Sequence, residues 1–144
     1  LSRSRRSGRR EARPSIQLTS QPTSRNAYVE TRQWLLARHG PVCAYCERRV
    51  RESDITLDHV SPRKGRDAYD RRDNLLLSCT TCNNRKADTP ILLFLMQRRE
   101  RAVGMLRYGE HLSPMLQQMA RELVGEEMAA RIERLRDPDY PYAD

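Results

Sequence analysis

The sequence lacks any long apolar run. Its longest stretch is Ile91 to Met96, far short of the roughly 18–20 consecutive apolar residues that cross a bilayer, so no membrane-spanning helix and no membrane partner are expected. Lysine is almost missing: of 27 basic residues only Lys64 and Lys86 are lysine, and the rest are arginine. Arginine offers a planar fork of donors that matches phosphate oxygens, although a coding preference for arginine would leave the same mark. No apolar segment follows the paired arginines near the N-terminus, so an export signal is not expected and an intracellular location is. Apolar residues are scarce as well, 38% against 32% charged in 144 residues. That balance suits one small domain with a modest core and argues against a large enzyme with a deep, protein-built pocket.

What the chain does have is positive charge, unevenly placed. The net charge is +8. Residues 1–104 carry 22 basic and 11 acidic side chains, whereas residues 105–144 carry 5 and 8. An anionic partner, nucleic acid first among them, is therefore expected to meet the first part. Residues 1–26 read as a disordered Arg-rich arm, because six arginines against Glu11 in residues 1–13 repel one another and bury nothing. Such an arm serves either as a solubilising tail or as a weak electrostatic contact to nucleic acid.

Ala27 to His39 reads as a helix, capped by Asn26 and stopped by Gly40-Pro41, with Tyr28, Leu35 and Leu36 on one face. Trp34 is expected to pack at the core or its rim. His39 ends that helix, where a cation suits the dipole, and His111 falls in a linker; both are expected to be structural or solvated. Ile55-Thr56-Leu57 reads as a short strand, and 61–73 as a loop or hairpin tip. Residues 89–144 read as a helical extension of two helices. One starts near Asp88-Thr89-Pro90 and runs to about Arg107; the other starts at Ser113-Pro114 and is ended by Pro138. The second carries an apolar stripe from Leu112 to Leu135, which packs on its own domain or, on a sharper reading, on a partner protein or a second copy of the chain. The tail 137–144 is expected to fray.

Cys43-Ala-Tyr-Cys46 and Cys79-Thr-Thr-Cys82 form two CxxC knuckles. Two residues between sulfurs let both thiolates of a knuckle reach one ion, and two knuckles complete a tetrahedral four-cysteine zinc site. Disulfides and a redox dithiol are the rivals; a matched pair of knuckles in a chain with no secretory signal favours zinc. With four sulfur ligands no position remains for water, so this zinc is expected to be structural and to stabilise a chain with a thin core.

Between the knuckles lie Leu57-Asp58-His59-Val60-Ser61-Pro62 and Asp73-Asn74-Leu75, and Asn83-Asn84-Arg85-Lys86 follows Cys82. His59 can exchange a proton near neutral pH, and Asp58 and Asn83 are hard oxygen donors suited to magnesium or manganese. Each has a plainer use, in a turn, a cap or a satisfied hydrogen bond. As neighbours on an ideal strand Asp58 and His59 would face opposite ways, so sharing a site requires the strand to end or bend there.

Taken together, Arg38-His39-Gly40, Cys43-x-x-Cys46, Leu57-Asp58-His59-Val60-x-Pro62, Gly65, Asn74-Leu75 and Cys79-x-x-Cys82-Asn83-x-x-Lys86 resemble the HNH endonucleases, a ββα-metal family with a subgroup that holds zinc on four cysteines. The resemblance covers about residues 36–88 and departs at Gly65-Arg66, where many relatives have Gly-Gly. It implies an α+β fold: a ββα-metal core with a structural zinc site, flanked by an N-terminal helix and C-terminal helices, the nuclease domain at 27–88. It implies His59 as general base, Asp58 and Asn83 as ligands of a catalytic Mg2+ or Mn2+, and Asn74 as the holder of the loop that carries His59. Arg85 and Lys86 would contact phosphate, and Arg63, Lys64 and Arg66 the DNA backbone. The activity implied is metal-dependent hydrolysis of DNA, double-stranded in the expected case, by nicking or double-strand cutting to 5′-phosphate and 3′-hydroxyl ends. The alternative is a zinc-stabilised nucleic-acid-binding module without catalysis.

Overall fold

The computed structural model describes residues 25–61 and 71–136. The Arg-rich arm, the expected contacts Arg63, Lys64 and Arg66, and the tail fall outside the described residues. Helix α1 (Arg25–His39) comes first. It starts at Arg25, so Asn26 lies in its first turn rather than at the cap. Strands β1 (Ile55–His59) and β2 (Leu75–Cys79) pair antiparallel, each entered through a single 3-10 turn, Glu52–Asp54 and Arg72–Asn74. The register sets Ile55 against Cys79 and His59 against Leu75, so the cysteine and the histidine mark opposite ends of the sheet. Every residue of β2 is buried. Helix α2 (Thr80–Lys86) follows directly, with Cys79 as its cap.

Helix α1 lies along the sheet and is tied to β1 through polar groups. The Tyr28 hydroxyl donates to the Leu57 carbonyl at 3.3 Å, and the Arg32 guanidinium donates to the Glu52 and Ile55 carbonyls at 2.8 and 2.9 Å. Trp34 sits half-buried with the Arg72 guanidinium 4.3 Å from its ring centre and His111 edge-on at 5.7 Å. His39 is structural, one of the two roles expected of it, and not a helix-end cation. Burial, and then the neighbouring Arg38 charge, holds it down to about 4, and its ring packs edge-on against Tyr108.

Two expected long helices are each divided. The first becomes α3 (Ile91–Gln97) and α4 (Glu100–Tyr108), with Arg98 extended between them. The break lets Arg101 fold back: its guanidinium donates to the Phe94 carbonyl at 2.8 Å and stacks on the Phe94 ring at 3.7 Å. It also sets Gly104 against the first knuckle, where an added Cβ would fall 1.8 Å from the Ala44 carbonyl oxygen. The second becomes α5 (Pro114–Val124), capped by the Ser113 hydroxyl, and α6 (Glu126–Arg134). Gly125 divides them at φ +100°, a conformation that side chains disfavour. The turn folds α6 back beside α5, joined by the Arg121–Glu133 ion pair, and buries Leu116, Ala120, Ala129 and Ile132. Leu112, Leu116 and Ile132 of the apolar stripe are thus buried inside the chain while Met115, Met128 and Leu135 stay exposed, and one continuous core runs from Leu35 to Ile132.

Candidate functional site

The cysteine centre is built from two short devices. In the first, Cys43 and Glu47 close a tight turn, with the Glu47 amide donating to the Cys43 carbonyl at 2.7 Å, and the Ala44 amide pins the turn to Leu77 of β2 at 2.9 Å. In the second, Cys79 ends β2 and caps α2, its sulfur accepting from the Cys82 amide at 3.4 Å. The four Sγ atoms lie within 4.8 Å of one another and none is in a disulfide. Zinc–sulfur bonds of about 2.3 Å place tetrahedral sulfurs about 3.8 Å apart, and the Cys46–Cys79 separation is 3.9 Å. The electrostatics fit a cation as well. A hydrogen bond from Cys82 holds the Cys43 thiol down to about 4, while that same bond and burial push Cys82 up. Sulfurs crowded this closely cannot all carry charge unless a metal ion balances them.

At the other end of the sheet, Asp58 and His59 occupy the last two positions of β1. Asp58 is buried; the Tyr45 hydroxyl donates to its Oδ2 at 2.6 Å and the Lys86 ammonium lies 3.3 Å from the same oxygen. Burial pushes the Asp58 carboxyl up, and Lys86 and then Tyr45 pull it back. Burial, then the Asp58 charge, pushes the Tyr45 phenol well up, so it stays a donor. His59 has different surroundings, half-exposed, with the Tyr28 ring 6.3 Å away. The chain leaving His59 is held by Asn74: its carbonyl accepts from the Val60 amide at 2.8 Å, its Oδ1 from the Ser61 amide at 2.8 Å, and its Nδ2 donates to the Ser61 carbonyl at 3.1 Å.

Helix α2 supplies the third side. Asn83 and Lys86 are three residues apart, hence on one helix face. Asn83 is half-exposed, and among the described residues its amide has no hydrogen-bond partner. Lys86 is not the phosphate contact expected of it. It is 1% exposed, and its ammonium donates to the His59 carbonyl at 3.0 Å besides pairing with Asp58. A buried ammonium must find a partner, and the Asp58 carboxylate is at hand. Arg85 points outward and is exposed. Sequence reasoning passed over Tyr45. The signal was present, a hydroxyl-bearing side chain between two ligands of one knuckle.

Residues 43–89 match the family model described as HNH endonuclease. Among curated proteins the chain is similar to the CRISPR-associated endonuclease Cas9 of Corynebacterium diphtheriae, 36% identical over 52 residues, which is 36% of this chain and 5% of that protein. It is also similar to the CRISPR-associated endonuclease Cas9 of Actinomyces naeslundii, 27% identical over 111 residues, 72% of this chain and 10% of that protein. The chain thus spans at most about a tenth of the length of these relatives. No solved structure matches it significantly. The two cysteine knuckles, the antiparallel strand pair and the helix that follows it are therefore arranged as an HNH endonuclease domain, the family whose model residues 43–89 match.

Proposed function

We propose that the chain is a metal-dependent endonuclease that hydrolyses phosphodiester bonds of double-stranded DNA. The observation that carries this reading is the arrangement at one end of the sheet: Asp58 and His59 end β1, Asn74 grips the chain leaving His59, and Lys86 of α2, three residues on from Asn83, bonds to the His59 carbonyl and to Asp58.

His59 acts as general base, taking a proton from the attacking water as the water approaches phosphorus in line. Asn74 fixes the backbone on which that ring is mounted, through both functional atoms of its amide. Asp58 and Asn83 are the oxygen donors for one magnesium or manganese ion. Tyr45 and Lys86 both occupy Oδ2 of Asp58, which leaves its second oxygen to face the cation. When bound, the cation supplies Lewis-acid stabilisation of the scissile phosphate and of the leaving 3′-oxygen. The products of this chemistry carry 5′-phosphate and 3′-hydroxyl ends. Arg85 serves phosphate binding from the exposed side of α2, and Arg63, Lys64 and Arg66 are assigned to the same task from sequence. Zinc is the metal assigned to the cysteine centre, where it is structural because all four ligand positions are sulfur.

The test is plasmid cleavage with magnesium or manganese by the zinc-loaded protein. His59→Ala should lower the rate by ~10^2 to 10^4-fold, the usual contribution of a positioned base. Equal cutting by His59→Ala, or none by the wild type with either metal, would leave the non-catalytic nucleic-acid-binding module as the better reading.

A further inference from the structure

Each cysteine knuckle sends one hydrogen-bond donor to Asp58. From the first comes Tyr45, which lies between Cys43 and Cys46. From the second comes Lys86, four residues after Cys82 and so one helical turn further along α2. Both donors reach the same oxygen, at 2.6 and 3.3 Å. Neither is a surface group that drifted inward: Tyr45 is 2% exposed and Lys86 1%.

Tyr45 is anchored at both its backbone and its ring. Its backbone is held in the knuckle turn, whose Ala44 amide is bonded to β2. Its ring meets Phe94 edge-on, with centroids 5.1 Å apart, and the Arg101 guanidinium covers that Phe94 ring. The only hydroxyl freedom left is rotation about the C–O bond, and the Asp58 carboxylate fixes that. Carboxylates that bind a cation are aimed by the groups hydrogen-bonded to them, and losing such a group typically costs ~10–100-fold in metal affinity or activity.

We propose that Tyr45 is a positioning residue for the nuclease reaction: its hydroxyl holds Asp58 in the orientation that receives the divalent cation, and through it the structural cysteine centre sets the geometry of the catalytic one. This rests on the nuclease reading above, with Asp58 as the cation ligand. It assigns the first knuckle a role beyond stability, because the knuckle turn is what aims the Tyr45 ring.

Tyr45→Phe isolates the hydroxyl, since the ring still packs against Phe94. Manganese binding to the zinc-loaded protein without DNA, followed by electron paramagnetic resonance, should weaken about 10-fold. The kcat for plasmid cleavage should fall ~10–100-fold with KM for DNA unchanged, while zinc content stays as in the wild type. Wild-type manganese affinity and kcat in Tyr45→Phe, with both lost in Asp58→Asn, would overturn the proposal and leave the nuclease reading standing. Unchanged manganese affinity and kcat in Asp58→Asn would remove that reading and the proposal together. A measurement on a protein that keeps the hydroxyl guards against a variant that fails to fold. With 3-fluorotyrosine at position 45, the fluorine resonance should shift on adding magnesium and stay fixed in the Asp58→Asn background. A resonance that magnesium does not move would overturn the proposal.

Discussion

The two ends of the small sheet are made on different plans. At the Cys79 end four identical ligands come from two knuckles, each closed within a few residues. At the His59 end unlike residues arrive from β1, from the turn before β2 and from α2, and Asp58, Asn74 and Lys86 are each bonded to a group from somewhere else in the chain. The first plan makes a site that organises the fold. The second makes a site that the fold must organise. Substitutions at the cysteine end should therefore read out in stability, and those at the polar end in chemistry.

The largest effect is expected from Cys79→Ser. Structural zinc binding contributes ~10 kcal/mol or more to the folding of small domains, so zinc content and the cooperative melting transition should disappear together, measured by metal analysis and calorimetry. A folded, zinc-free Cys79→Ser protein would break the comparison. Next comes His59→Ala, where the loss of rate should far outweigh the stability change, which at a half-exposed position should be about 1 kcal/mol or less. A melting temperature lowered as far as by Cys79→Ser would show that the polar end, too, is structural.

A third test concerns acid. His111 is buried, its Nε2 donates to the Leu75 carbonyl at 2.7 Å, and burial holds it down to about 4. Leu75 is the strand partner of His59, so this bond supports the polar end from behind. The unfolded chain takes up the proton near 6.5 and the folded chain only near 4. Between those values the unfolded state binds more protons, so stability falls as pH drops through that window, by on the order of 3 kcal/mol for this group. Urea denaturation of wild type and His111→Gln across pH 7 to 4 should give a steeper decline in the wild type; parallel curves would show that His111 already carries its proton in the fold. Smallest is Asn74→Ala, which unmakes two hydrogen bonds to Ser61 and should cost about 1–3 kcal/mol by chemical denaturation. Its loss of rate should exceed that stability cost if the amide serves to hold the chain behind His59.

The same contrast explains what could be read from sequence. The four cysteines were found from spacing alone, because a knuckle is a local object. Asp58, His59, Asn74 and Asn83 needed a resemblance, since nothing local says that they belong together. The resemblance assigns Lys86 to phosphate, whereas the fold buries it. Its position four residues after the buried Cys82 puts it on an inward helix face, a clue that helical periodicity held. The division of the C-terminal helices was missed for a related reason. The apolar pattern continues across Arg98 and Gly125, while the breaks go with Arg101 reaching back to Phe94 and with a backbone angle that glycine accepts.

Gly104 has one more consequence. With no side chain it lets α4 press on the Ala44 carbonyl, while Phe94 meets Tyr45, His111 holds Leu75 and the Ser113 amide donates to the Asp73 carbonyl at 3.0 Å. These four fasteners reach the first knuckle, the strand and the turn, and all of them come from beyond residue 89, where the family match stops. The segment that matches the family model and the segment that packs as one core therefore have different boundaries. A fragment cut where that match ends would keep every proposed active-site residue and lose the back wall against which those residues are set.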